Sequence, residues 1–140
     1  MSEPIDCHHN HAAYEEHAGK RVWIHRKGAI RLREGEWGII PGAMGTSSYL
    51  VKGKGNPESF HSCSHGAGRQ MSRKAAMESF SVEDTILDLE SKGIFLGKTR
   101  KRDIGEEARF AYKDIDFVIA NELDLIEPIR KLETLGVVKG

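Results

Sequence analysis

Cysteine is scarce in this chain of 140 residues, with only Cys7 and Cys63, and proline occurs four times. Two cysteines cannot build the disulfide framework of a small secreted domain, so each reads as a buried thiol or a ligand. Aromatic residues make up 7%, which leaves aliphatic side chains to fill most of the core. No apolar run reaches the roughly 18 residues of a membrane span, and no basic-then-apolar leader opens the chain. The expectation is a soluble, cytoplasmic protein with no membrane partner. Neither sign of charge prevails, because 21 Lys and Arg balance 21 Asp and Glu. That excludes a globally basic nucleic-acid coat and confines any polyanion site to a local patch. Internal repeats, low-complexity tracts and long linkers are also missing, so residues 1–140 read as a single domain with a modest core.

Histidine is abundant by contrast. His8, His9, His11 and His17 fall within ten residues, and His61 and His65 flank Cys63. Helix formers Ala12, Ala13, Glu15 and Glu16 ahead of Gly19 predict a short helix over 7–17. Alternation over Arg21–His25 and Ala29–Arg33 around Lys27-Gly28 predicts a β-hairpin. Brief strands follow at 38–40 and 49–51, separated by the glycine- and hydroxyl-rich loop Pro41–Ser48. The order around Ser59–Phe80 reads strand, glycine turn, helix. Ser81 to Asp84 resembles a capping box opening a second helix that stops near Gly93. A strand at 94–96, helices at 114–123 and 124–132, and a terminal strand at 135–140 complete an α+β pattern of short strands with packed helices.

The turn Gly66-Ala67-Gly68 is the sharpest chemical feature. Glycines let backbone N–H groups approach an anion, and His65 would stand beside a phosphate held there. A neutral imidazole is a competent nucleophile toward phosphorus. The same four residues also suit a plain tight turn with a satisfied histidine. His8, His11 and Glu15 would share a helical face and could bind a metal, although neither HExxH nor a paired CxxC is present. Surface or core histidines are the competing reading. Pro41–Ser48 offers amides and hydroxyls suited to a purine edge or a sugar, or serves only to connect strands. Arg69, Arg73 and Lys74, with Lys98, Arg100, Lys101 and Arg102, form either a track for a nucleic-acid backbone or a solvated face.

Cys7-His-His-Asn-His11, Arg26-Lys-Gly-Ala29, Ile40-Pro-Gly-Ala-Met-Gly45, Ser62-Cys-Ser-His-Gly-Ala-Gly-Arg69, Met71-Ser-Arg73, Ala111-Tyr-Lys-Asp-Ile-Asp116 and Val138-Lys-Gly140 resemble, in this order, the C-terminal part of the RtcB-type RNA-splicing ligases. The resemblance implies the C-terminal catalytic segment of an RtcB-like fold. It further implies a ligase dependent on GTP and Mn²⁺ that joins RNA 3′-phosphate or 2′,3′-cyclic phosphate ends to 5′-hydroxyl ends, in tRNA splicing and RNA repair. His65 matches the histidine that carries GMP, and His9 matches a manganese ligand. Asn10 matches a nucleotide contact, as do Pro41, Gly42, Ala43, Met44 and Ser48 of the guanosine loop. Gly66, Ala67 and Gly68 match the loop beside the adduct, Tyr112 a residue near the nucleotide, and Lys139 a guanine contact. Many relatives carry Ser where this chain has Ala43. Full-length relatives are much longer, and the remaining metal ligands lie in their N-terminal part. The alternative is therefore a split or inactive segment that needs an N-terminal partner, or that binds guanine nucleotide or RNA without ligating it. An unrelated histidine phosphotransfer domain is the third reading.

Overall fold

A computed structural model describes residues 5–98 and 104–139. In chain order its elements are β1 (Asn10–His17), β2 (Lys20–Lys27), β3 (Ala29–Arg31), β4 (Trp37–Ile40), β5 (Ser48–Gly53), β6 (Ser62–Ser64), α1 (Arg73–Ser79), α2 (Val82–Ser91), β7 (Phe95–Lys98), α3 (Ile115–Ala120), β8 (Ile126–Leu132) and β9 (Gly136–Lys139), with two short 3₁₀ turns before α3. The class is α+β, as the pattern predicts. Among the described residues no helix is long and apolar enough to cross a membrane.

The expected helix over 7–17 is instead the strand β1. It pairs antiparallel with β2 so that His17 faces Lys20. The two turn residues, Ala18 and Gly19, have φ of 51° and 73°, the paired positive values of a turn whose twist suits a tight hairpin. Along β1 the odd-numbered residues His11, Ala13, Glu15 and His17 turn inward, and Glu15 is buried. The helix preferences of Ala and Glu differ from other residues by only about 0.5 kcal/mol each. A paired ladder with a buried charge partner outweighs them. His11 and Glu15 consequently share a strand face rather than a helical one, and His8 precedes the strand.

The hairpin expected around Lys27-Gly28 is also corrected. β2 belongs to β1, while β3 pairs antiparallel with β6. Gly28, with φ of 75°, turns the chain from one sheet into the other. β4, β5 and β8 form a three-stranded antiparallel sheet in the order β4-β5-β8. β8 replaces the helix expected over 124–132. Pro128 would cost about 3 kcal/mol inside a helix, whereas an edge strand with a bulge accepts it. Leu50 pairs with Arg130 and Val51 with Pro128, which leaves Ile129 unmatched. β7 and β9 form a separate parallel pair.

The cap predicted at Ser81 holds, and two further helix starts are capped in the same way. Ser72 Oγ accepts from the Ala75 N–H at 3.1 Å, Ser81 Oγ from Asp84 at 3.0 Å and Asp114 Oδ1 from Asp116 at 2.9 Å. Each satisfies an N–H that the helix itself leaves unpaired. Ile30, Leu32, Ile40, Val51, Cys63, Ala67, Ile115, Ile119 and Ile126 form the core. The loop after β6 therefore lies directly over packed side chains, anchored by Ala67. Of the basic run Lys98–Arg102, residues 99–102 lie outside the described residues.

Candidate active site

His65 follows β6, and the strand is clamped from the far side by Glu122, just beyond α3. The Ser64 N–H donates to Glu122 Oε2 at 3.0 Å, and the Ser64 hydroxyl donates to Oε1 of the same carboxylate. The His65 N–H donates to the Gly28 carbonyl at 3.4 Å, and the Ala67 N–H to Pro41 at 3.0 Å. A Cβ at Gly66 would stand 3.0 Å from the Pro41 oxygen. Only glycine allows that approach without a shift. The N–H groups of Gly66 and Gly68 make no hydrogen bond to the described residues. Two donors are thus left at the loop for an anion.

His9, immediately before β1, stacks on His65 with ring centroids 5.2 Å apart and planes 14° from parallel. Its carbonyl accepts from the Gly28 N–H at 3.3 Å, which holds it there. Burial, and then the neighbouring His9, lower the His65 pKa below the usual imidazole value. The ring is held neutral, with a nitrogen lone pair free for attack. Two hollows flank it. A cleft of about 490 Å³ is bounded by Gly28, Ser64–Gly68, Lys113 and the α3 side chains Phe117 and Val118. A hollow of about 230 Å³ is lined by Cys7, His9, Pro41 and His65.

The Pro41–Ser48 loop is braced from three directions. The Ala43 carbonyl accepts from both the N–H and the hydroxyl of Thr46, each at 3.0 Å. Lys92 Nζ donates to the Gly45 carbonyl at 3.2 Å, and Thr134 Oγ1 to the Thr46 carbonyl at 2.7 Å. Gly42 is hemmed in, since a Cβ there would lie 2.2 Å from the Ser47 oxygen. Tyr112 pairs with Arg69 through an antiparallel bridge. The Arg69 guanidinium lies 4.7 Å from the Tyr112 ring centroid. The Tyr112 hydroxyl donates to Glu107 at 2.5 Å, and burial with that carboxylate pushes its pKa to about 12. Arg69 Nη2 also donates to the Glu106 carbonyl at 2.6 Å. Part of the basic track is therefore engaged in fold contacts.

Of the residues singled out from sequence, His9, Pro41 and His65–Gly68 come together around one loop, with Asn10 next to His9 at the head of β1. Gly42, Ala43 and Met44 continue the turn from Pro41, and Ser48 begins β5 opposite Leu132. Tyr112 reaches the loop through Arg69. Lys139 ends β9 opposite Lys98. Among the described residues no three His, Cys, Asp or Glu side chains converge to hold a metal ion. His9 is one donor where a defined site takes three or more, so these residues do not complete a manganese site.

Over residues 1–140 the chain matches the family described as tRNA-splicing ligase RtcB. It belongs to the RtcB family. It is 48% identical over 139 residues to the RNA-splicing ligase RtcB of Escherichia coli (strain K12), covering 99% of this chain and 33% of that protein. It is 39% identical over 156 residues to the tRNA-splicing ligase RtcB of Nanoarchaeum equitans (strain Kin4-M), covering 96% and 33%. The RNA-splicing ligase RtcB of Mycobacterium bovis (strain ATCC BAA-935 / AF2122/97) is 39% identical over 155 residues, covering 96% and 36%. The chain spans about a third of the length of these relatives.

Within this RtcB-family chain, four residues around the loop escape sequence reasoning. Gly28 lies in the Arg26–Ala29 motif, yet nothing local marks it as the surface against which the His65 imidazole rests, 3.6 Å from the position of a Cβ. Glu122 carries no motif signal, and its role exists only because α3 ends against β6. Lys113 and Phe117 read as helix-start and helix-face residues until the fold sets them beside His65.

Proposed function

We propose that this RtcB-family chain carries the histidine nucleophile of an RNA ligase that uses GTP. A neutral His65 beside two unpaired loop amides supports this reading most directly. An imidazole nitrogen attacks the α-phosphorus, an N–P bond forms, the bond to the bridging oxygen breaks and pyrophosphate leaves. An oxygen of the RNA 3′-phosphate then takes GMP from the histidine, restoring the free imidazole. The 5′-hydroxyl oxygen attacks the activated phosphorus, GMP departs and the hydroxyl proton passes to solvent. The loop amides face the charge that gathers on the phosphate oxygens. Pro41–Met44, Ser48, Asn10, Tyr112 and Lys139 are assigned to the guanosine. His9 offers one donor to a metal, and no step is derived through Mn²⁺ because the described residues do not build its site.

A second reading is favoured by that incomplete donor set. In it the segment binds guanine nucleotide or RNA and needs further ligase residues supplied by a separate segment before it reacts. One experiment separates the two. The purified chain is incubated with GTP radiolabelled at the α-phosphate and with Mn²⁺, then run on a denaturing gel, with His65→Ala as control. Acid-labile label that depends on His65 supports autonomous guanylylation. Label only after an N-terminal RtcB segment is added supports the second reading, and no label in either case overturns the assignment of His65.

A further inference from the structure

We infer that the outer face of the β1–β2 hairpin grips single-stranded RNA away from its reacting ends, with Trp23 and Tyr14 stacking on bases and Arg21 meeting the phosphate backbone. This rests on the RNA-ligase reading and adds to it a second contact surface, built from residues that the guanosine and metal assignments do not use.

Strand alternation sorts the side chains of the hairpin. Glu15 and Arg26 turn inward and are buried, while Tyr14 of β1 and Arg21, Trp23, His25 and Lys27 of β2 are exposed on the other side. A solvated face of an antiparallel pair normally carries polar residues, yet Trp23 is 70% and Tyr14 48% exposed. The two residues are cross-strand partners, and their rings lie 5.3 Å apart between centroids. The Arg21 guanidinium sits 4.5 Å from the centre of the Tyr14 ring. Open rings beside a guanidinium form a stacking surface that accepts any base. Arg21, His25 and Lys27 make no ion pair among the described residues, and Glu16 is the acid they share the face with. Unpaired cations in excess suit a phosphate backbone. The apolar core of a protein–protein interface would call for aliphatic side chains, and the face offers only Ala12.

The face also leads toward the candidate active site. At the open end of the hairpin Asn10 stands opposite Lys27, next to His9 and to Gly28, on which the His65 imidazole rests. The Glu16–Arg21 pair near the turn lies about 20 Å from that end at the rise of a β-strand. A strand held along the hairpin therefore runs toward His65 while its terminus stays free.

The test uses the 140-residue chain carrying Trp37→Phe, which leaves Trp23 as its one tryptophan. The probe is a ten-residue oligouridylate with 5′-phosphate and 3′-hydroxyl ends, so that neither reacting end is present. Titration is expected to quench Trp23 fluorescence, and to quench it less when the oligonucleotide is in a duplex whose bases are already stacked. In the parent chain Trp23→Ala should weaken binding of the dye-labelled oligonucleotide by about tenfold, and Trp23→Phe should recover most of the loss. Arg21→Gln should reduce the slope of log affinity against log salt by about 0.7. These side chains are exposed, so circular dichroism should show that the variants fold. Binding without quenching of Trp23, Trp23→Ala binding within about twofold of the parent, or no binding by the parent would overturn the inference. Shielding of Trp23 from acrylamide by an added N-terminal RtcB segment, with loss of quenching by RNA, would make this face a protein interface and overturn it as well. The ligase reading is decided separately, by GTP labelling at His65.

Discussion

Arg26 grips Glu15 through two parallel hydrogen bonds, Nη1 to Oε1 at 2.6 Å and Nη2 to Oε2 at 2.9 Å, with both side chains almost wholly buried. The same guanidinium donates to the Phe60 carbonyl at 2.8 Å and to Ser62 Oγ at 2.9 Å. It therefore ties the β1–β2 hairpin to the segment that enters β6 and ends at His65. Phe60 and His61 have φ of 54° and 53°, a conformation unfavourable for non-glycine residues that persists where the surroundings hold it.

Removing one partner leaves a buried charge without its counterion. Glu15→Gln is expected to destabilise the chain by about 3–5 kcal/mol, read from urea denaturation. Arg26→Gln should cost a similar amount, and the double variant should cost clearly less than the sum. Additive losses would show that the pair does not act as a unit.

The Arg26 guanidinium, ahead of the opposing effect of burial, holds the Glu15 pKa down to about 2 from an ordinary 4.5. A carboxylate with a depressed folded-state pKa contributes stability that is fully present above its unfolded value and lost as pH falls. Melting temperature should therefore drop between pH 4.5 and about 2. Glu15→Gln should flatten that acid limb. An unchanged limb would assign acid unfolding to other carboxylates.

Gly42 is a steric test of the Pro41–Ser48 loop and of the guanosine contacts proposed for it. A Cβ would stand 2.2 Å from the Ser47 carbonyl oxygen and 2.3 Å from Thr46 Oγ1, so Gly42→Ala must rebuild the turn, at about 1–3 kcal/mol. GTP-dependent labelling should fall while far-UV circular dichroism stays near that of the parent. Gly19→Ala has open space around it but a φ of 73°. It should lower stability by about 1 kcal/mol and leave labelling alone.

Cys63 packs in the core, and burial, with Glu122 next in effect, pushes its thiol pKa to about 12. Alkylation by iodoacetamide at pH 8 should spare Cys63 in the folded chain and modify it in urea. Rapid native-state modification would mean that the β6 region opens readily.

Phe95, Leu135 and Val138 are 72%, 85% and 88% exposed along the parallel pair β7–β9. Parallel sheets normally have both faces covered, and a bare apolar face promotes association. Light scattering should show concentration-dependent self-association of the 140-residue chain, reduced by Phe95→Ser with Val138→Ser. A monodisperse monomer at high concentration would contradict this.

The sequence was most legible where a local rule acts alone. Ser81 caps its helix because its side-chain oxygen meets an N–H three residues away, and no distant contact can improve on that. The Gly66–Gly68 turn was legible for the same reason. β1 and β8 were not, because Ala-Ala-Tyr-Glu-Glu and Glu-Pro-Ile-Arg-Lys each suit more than one local state. Pairing with β2 and with β5 decides between those states. Two cues were available: the alternation of His11, Ala13, Glu15 and His17, and Pro128 inside an expected helix.

Chemical identity at the site was written in the chain itself. An imidazole before glycines that can bare their amides, a second histidine upstream and ordered motifs across the chain name the family and single out His65 as the candidate nucleophile. Which groups surround that residue was decided by folding. His9 and His65 are 56 positions apart in the chain, and Ser64 and Glu122 are 58 apart. Burial over a common core brings each pair into contact. Stacking, desolvation and clamping are properties of that packing, and no local segment of the chain possesses them.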